Sequence, residues 1–453
     1  MVDFDVTGKR VTVVGAARSG LAAAELLAHR GARVTLSESS SEVPPGEALR
    51  ALGVALEVGG HRTETFTNAD LVVLSPGVPA EQPAIAAARA RRIPVIAEIE
   101  LAWRWLRGRV IAITGTKGKS TTTALTGRIL ETAGFTVTVG GNIGLPLSAQ
   151  VGESTPETLH VVETSSFQLE QIHMFHPWIA VMTNFSPDHL DRHPTIDAYA
   201  AAKARIFENQ NSGDWAVVNA DDPIVLAMAR RGRAPIRPFA RRSEPAEGTA
   251  LEHGWIVDRR AGRSERLVPL EAIHLLGPHL IDDVMAAATV GVIAGAAPAA
   301  MTAAVESFRG LEHAMEFVAD VDGVQFVNDS KATNVESALR SIESFETGLV
   351  PIIGGRFKGG DLSVLRAPLT ERAKAVVAIG EARPLIREAF SGAVEVYEED
   401  TLRAAIMRAF ALAQPSGTVL LAPACASFDM FRDYAERGRR FKEEVYVLTH
   451  RER

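Results

Sequence analysis

The stretch RVIAITGTKGKST most constrains what this chain can fold into. A β-branched run, Arg109 to Thr114, passes straight into a loop of Gly115, Thr116, Lys117 and Gly118. A helical pattern then opens on Lys119, Ser120 and Thr121 and continues as TTALTGRILETAG. A strand, a glycine-rich turn and a helix in that order aim backbone N–H groups and the positive end of the helix at one point, the geometry that receives phosphate oxygens. Lys119 would neutralise such an anion, and the Ser120 hydroxyl is a hard oxygen suited to Mg²⁺. The spacing is one glycine short of the usual G-x-x-x-x-G-K-[ST] loop, because Ile113 stands where the first glycine would be. A strand of this kind belongs in a parallel sheet covered by helices.

The same rhythm occurs twice more. Arg10 to Val14, a helical stretch from Ser19 to His29, and Arg33 to Ser37 form a βαβ pattern. Its turn, Gly15 to Gly20 (GAARSG), is close to the dinucleotide fingerprint with Ala17 at the middle glycine, and Glu38 closes the second strand. That turn suits NAD, a nucleotide sugar, or simply close helix packing. A third series begins at VQFVND near Val324 and continues through LVPIIGG, AVVAIG and TVLLAPA. Between Arg233 and Pro269 the pattern changes to short strands broken by glycine, proline and charge, as expected of a small antiparallel side sheet. The 453 residues fit about three domains at roughly 150 residues each. The expected fold is therefore α/β in three domains. Residues 1–97 form a Rossmann-like N-terminal domain, 98–309 a central P-loop parallel sheet with the antiparallel side sheet, and 310–453 a Rossmann-like C-terminal domain.

Composition removes other classes. With 48 Lys and Arg against 55 Asp and Glu, the net charge of −7 argues against a general nucleic-acid binder. The opening MVDFDVTGKR lacks the apolar core of a signal peptide, and the weakly polar stretch from Met285 to Met301 falls short of the ~20 apolar residues of a membrane span. A single cysteine, Cys425, excludes an internal disulfide and suits a reducing cytoplasm. Two further features carry chemistry. Glu163 ends the apolar run LHVVE, where an acid beside a phosphate loop commonly holds Mg²⁺. The loop SPDHLDRHP gathers Asp188, His189, Asp191 and His193, although imidazole is not the ligand Mg²⁺ prefers. Lys203 alone reads as a surface lysine on a helix.

Taken together, TGTKGKST, GGNIGLP, ETSSFQLE, TNFSPDHLDRHPTIDAYAAAKARIF, NDSKATN, GGRFKGGD and ACASFDMFRDYAERG resemble the muramyl ligase family, ATP-dependent enzymes that form amides in peptidoglycan precursor synthesis. The resemblance implies an acyl-phosphate mechanism with ATP and two Mg²⁺ ions. It implies a role in the catalytic site for Lys119, Glu163, His189 and Lys203. Lys119 would hold the terminal phosphates, Ser120 and Glu163 one metal, and His189 the second. Lys203 would be carbamylated by CO₂, turning a cation into an anionic metal ligand. It also implies the substrates UDP-N-acetylmuramoyl-L-alanine and D-glutamate, and a monomer. Ser39, Ser75, Pro76, Gly77 and Asn142 would meet the UDP-linked substrate. Asp329 would lie near the ribose, Lys331 near the phosphates, and Thr333, Lys358, Ser427, Phe428 and Tyr434 around the amino acid.

Three positions depart from the family pattern. Leu280 and Asp283 stand where asparagines are usual, the latter position belonging to the nucleotide site, and Ala314 follows His313 where an arginine is expected. These changes lead to an expectation of weakened ATP binding or relaxed purine choice.

Overall fold

The computed structural model describes residues 4–41, 43, 46–187, 192–274 and 279–449, with the side chain of His279 left aside. Three sheets organise them. The first is wholly parallel, with strands in the spatial order Ala55–Glu57, Arg33–Ser37, Arg10–Val14, Leu71–Leu74 and Val95–Ala97. The order reverses at Arg10–Val14, so a crevice opens at the carboxyl ends of that strand and Leu71–Leu74.

The second sheet has nine strands. Arg109–Thr114 runs between Leu159–Glu163 and Ile179–Met182, with Val137–Gly141 beyond the former and Trp215–Asn219 beyond the latter. Every residue of Leu159–Glu163 is buried, Glu163 included. Apolar runs of this kind are what a parallel strand covered on both faces requires. Ile236–Ala240 continues the parallel set, and Gly248–Glu252, Trp255–Arg260 and Arg263–Pro269 then extend the same edge, antiparallel from Gly248–Glu252 outward. The antiparallel strands expected between 233 and 269 are thus hydrogen-bonded onto the parallel sheet.

The third sheet orders Glu316–Val321, Val324–Asn328, Gly417–Leu421, Leu349–Gly354, Val376–Ile379 and Val396–Glu398, antiparallel only at its first pair. The chain separates into two compact units, Met1–Ile273 with Ile281–Ser307, and His274–Leu280 with Phe308–Arg453. The first unit holds the first two sheets and the second holds the third.

The weakly polar stretch near 285–301 is two helices, His279–Ala294 and Pro298–Ser307. Gly295, at a φ of 87°, turns the chain between them, and proline opens the second helix where its missing N–H costs nothing. Among the described residues no helix is long and apolar enough to cross a membrane.

Candidate active site

The glycine-rich loop leaves Arg109–Thr114 at the carboxyl edge of its sheet and enters the helix Lys119–Thr132 with Gly118 at the N-cap, φ 78°. No side chain caps this helix, so the N–H groups of its first turn keep no intrahelical acceptor. The loop is held from below. The Thr183 hydroxyl donates to the Lys117 carbonyl at 2.7 Å, Asn184 accepts from the Lys117 N–H at 2.8 Å, and the Thr116 N–H reaches the Asn184 carbonyl at 3.1 Å. Lys119 folds its ammonium back onto the Thr116 carbonyl at 2.8 Å. Thr121, two residues on, lies in the same first turn. Gly115 and Gly118 admit no other residue easily. A Cβ on Gly115 would lie 2.0 Å from the Thr183 hydroxyl oxygen, and one on Gly118 would lie 2.0 Å from Asp283 Oδ1.

Glu163 sits across from the loop, only 2% exposed. Ser120 Oγ donates to its Oε2 at 2.5 Å, and Asn142 Nδ2 donates to its Oε1 at 2.8 Å. The register between Val137–Gly141 and Leu159–Glu163 puts Gly141 opposite Glu163, which carries Asn142 to that carboxylate. Asn142 therefore contacts the acid. Ser120 and Glu163 supply hard oxygen donors, a set that fits Mg²⁺.

Lys203, in Ile196–Ala204, is 2% exposed and donates to the Gly115 carbonyl at 2.7 Å, with its ammonium 4.8 Å from the Tyr199 ring centre. The expected surface lysine is thus buried against the phosphate loop. As an amine it is a donor to the loop and does not fit a metal. His189, expected at a second metal, lies outside the described residues, as do Asp188 and Asp191. Among the described residues no cluster of three or more His, Cys, Asp or Glu side chains gathers for a metal. His193 is buried, with Nε2 2.9 Å from the Ser166 hydroxyl and Nδ1 3.1 Å from Glu170.

Asp283 is 2% exposed beneath the loop, accepting from the Thr122 hydroxyl at 3.1 Å. Burial pushes its carboxyl well above the usual range, against the opposing hydrogen bond from Thr122. It touches the loop itself.

In the first sheet's crevice, Gly15 has a φ of 90° and the Ser75 hydroxyl donates to its carbonyl at 3.0 Å. Ser75 is buried, Pro76 half-buried, and Gly77 and Ser39 exposed. Glu38 accepts from the Ala16 N–H at 2.6 Å and from Ser39 Oγ and the Ser40 N–H, both at 2.9 Å. Burial raises its pKa, but the N–H groups of Ser40 and Ala16 outweigh that and hold it at about 2. The acid that would meet a dinucleotide's ribose is thus engaged in closing its own loop. Arg18 donates to the Gly144 carbonyl at 3.0 Å, and Arg192 donates to the Val78 carbonyl at 3.2 Å. Arg192 also lies 4.3 Å from the Phe167 ring centre, so through these two arginines the crevice faces the GGNIGLP loop and the segment carrying Phe167.

In the second unit, Asp329, Lys331 and Thr333 follow Val324–Asn328, Lys358 follows Leu349–Gly354, and Ser427 and Phe428 follow Gly417–Leu421. Three neighbouring strands thus deliver them to one sheet edge. Lys331 and Lys358 are exposed, Ser427 is buried, and Phe428 is 63% exposed, which removes core packing as its role. Asp329 is buried, accepting from the Met315 N–H at 3.1 Å and from the Ser341 hydroxyl, and burial raises its pKa. Tyr434 opens the last helix, its ring edge-on to His313. Arg437, one turn on, is 1% exposed and donates to the Ser330 carbonyl at 2.9 Å and the Cys425 carbonyl at 3.2 Å. Burial lowers its pKa to about 10. It ties NDSKATN to ACASF, a role hidden in sequence because an arginine on a charged helix reads as surface. Thr183 and Asn184 were also missed, though their place just after a strand beside the loop was a usable signal.

Family models match in chain order: the Mur ligase MurD-like N-terminal domain over residues 9–97, the Mur ligase middle domain over 113–291, and the Mur ligase glutamate ligase domain over 315–425. The chain belongs to the Mur ligase family, ATP-dependent enzymes that form amide bonds. Within it, a protein of Koribacter versatilis named UDP-N-acetylmuramoylalanine–D-glutamate ligase is 45% identical over 99% of this chain and 100% of its own length. One of the same name from Geotalea uraniireducens is 46% identical over 98% of this chain and 99% of its own. In fold, the chain is similar to the solved UDP-N-acetylmuramate–alanine ligase of Thermotoga maritima, with TM-score 0.58 and 21% identity over 97% of this chain and 99% of that one.

Proposed function

We propose that this protein joins D-glutamate to UDP-N-acetylmuramoyl-L-alanine with ATP in the cytoplasm. The observation that carries the reading is the convergence of Ser120, Glu163, Asn142 and Lys203 on one phosphate loop. The full-length relatives named for D-glutamate addition support the choice of substrate. A carboxylate oxygen of the UDP-linked substrate attacks the γ-phosphorus of ATP, ADP leaves, and an acyl phosphate remains. The D-glutamate amine then attacks the acyl carbon and phosphate departs, leaving an amide.

Two anions must meet first. Unit charges 4 Å apart repel by about 4 kcal/mol at an effective dielectric of 20, so cations at the loop set the rate. The helix end and the loop N–H groups receive phosphate oxygens, and Lys119 exchanges its hold on Thr116 for them. Mg²⁺, held by Ser120 and Glu163, would neutralise phosphate charge. Asn142 orients Glu163. Carbamylation of Lys203 would replace its bond to Gly115 with an anionic oxygen pair for a second ion. Ser39, Ser75, Pro76 and Gly77 are the residues for the uridine end, whereas Lys331, Thr333, Lys358, Ser427, Phe428 and Tyr434 are those for phosphate and amino acid. We read the working form as a monomer of three domains divided near residues 97 and 309.

ADP release measured with UDP-N-acetylmuramoyl-L-alanine and D-glutamate, L-glutamate or L-alanine tests the reading. Only D-glutamate should support turnover, and release driven equally by another amino acid would contradict it.

A further inference from the structure

The first sheet has a second concavity, at the edge opposite its nucleotide crevice. A cavity of about 630 Å³ lies where Arg10–Val14, Leu71–Leu74 and Val95–Ala97 begin. Strands of five and four residues, at ~3.3 Å per residue, separate it from the Gly15 and Ser75 turns. Its volume falls within the roughly 300–1,000 Å³ of small-molecule sites. Val6, Leu71, Ile93 and Ile96 give it an apolar floor, and Arg104, Gln171 and His173 close one side.

Its charge is one-sided. Lys9, Arg89, Arg92 and Arg104 line it against a single carboxylate, Asp70. Asp70 is already paired with Arg10 at 3.0 Å, and Arg104 is paired with Glu100 at 2.6 Å. Arg89 donates to the Ala80 carbonyl and to Gln171, both at 2.9 Å. Lys9, Arg89 and Arg92 have no carboxylate within ion-pair distance among the described residues. Arg92 is held at a φ of 59°, a conformation uncommon outside glycine. On the wall, Phe4 and Arg104 are backed by a tilted aromatic pair. The Arg104 guanidinium lies 4.3 Å from the Phe4 ring centre, Phe4 packs 5.2 Å from Trp105, and Arg30 covers Trp105 at 4.7 Å.

We propose that this cavity is a second ligand site, taking an aromatic organic acid. A flat ring would lie on the apolar floor beside Phe4 and Arg104, and its acid group would face Lys9, Arg89 and Arg92. The proposal does not rest on the ligase reading: Lys9, Arg92, Arg104 and Phe4 belong neither to the phosphate loop nor to the crevice, and only Gln171 lines both concavities.

The anionic dye 8-anilino-1-naphthalenesulfonate is a suitable probe with the full chain. Fluorescence titration should show saturable binding of one dye per chain, not displaced by ATP or UDP. Lys9→Glu with Arg92→Glu should weaken it roughly tenfold or more. Both side chains are exposed, so the variant should keep the parent melting temperature and ADP-release rate. Phe4→Ala should weaken it too, and the uncharged N-phenyl-1-naphthylamine should bind less tightly. Absence of saturable binding, displacement by either nucleotide, equal affinity in the charge-reversed variant, or equal binding of the uncharged dye would each overturn the proposal.

Discussion

Single side chains around Glu163 divide the chemistry. Its two oxygens are taken by Ser120 and Asn142, which together fix the direction of the carboxylate. Losing an outer partner of this kind typically costs about 10–100-fold in metal affinity or activity. Asn142→Ala should therefore raise the Mg²⁺ concentration for half-maximal ADP release by that factor, and an unchanged Mg²⁺ dependence would remove the pairing from the mechanism. Lys203→Ala should abolish turnover and recover part of it with added acetate or formate, whereas full activity without them would rule out carbamylation. That Lys119, Ser120 and Glu163 lie about one loop was legible, because a glycine-rich strand-to-helix turn and a strand-end acid are local patterns. The partner of Asn142 was not, since it depends on which strand lies beside Val137–Gly141. Lys203 looked superficial for a related reason: a nine-residue helix rich in alanine gives little periodicity from which to read its buried face.

At the scale of elements, the turn between Arg109–Thr114 and Lys119–Thr132 works because two glycines occupy positions closed to a side chain. Gly118→Ala places a Cβ against buried Asp283 and in a left-handed backbone, which alone costs about 1–2 kcal/mol. The variant should melt several degrees lower and raise the ATP KM, and unchanged values for both would contradict the geometry. Asp283, which the resemblance sets at the nucleotide, packs under Gly118 and against Thr122, where it also supports the loop. The alternation of strands and helices was plain in the apolar runs. That the antiparallel strands join the parallel sheet was not, because edge pairing between Ile236–Ala240 and Gly248–Glu252 leaves no local mark.

Across the first unit, the sheets are coupled through a buried acid. Glu98 opens the helix Glu98–Trp103 just after the last strand of the first sheet, is fully buried, and accepts at 2.6 Å from the N–H of Ser148, on the short helix Leu147–Gln150 that follows Val137–Gly141 of the second. Its other oxygen, Oε2, has no partner among the described residues. Burial pushes its pKa up to about 7, against the hydrogen bond from Ser148. A carboxyl raised on folding is bound to its proton more tightly in the native state, so stability falls as pH rises from the unfolded value near 4.5 to about 7. That loss amounts to about 3 kcal/mol at 1.36 kcal/mol per unit. Glu98→Gln should flatten this part of the pH–stability curve, measured by denaturant unfolding between pH 5 and 8; a parent-like slope would show that Glu98 does not titrate there. The whole molecule's chemistry reduces to an oxygen passing from a carboxylate to phosphorus. The decisive measurement uses UDP-N-acetylmuramoyl-L-alanine labelled with ¹⁸O in its carboxylate, turned over with ATP and D-glutamate, with the released phosphate analysed by mass. One labelled oxygen per phosphate is expected, and phosphate free of label would contradict transfer through an acyl phosphate.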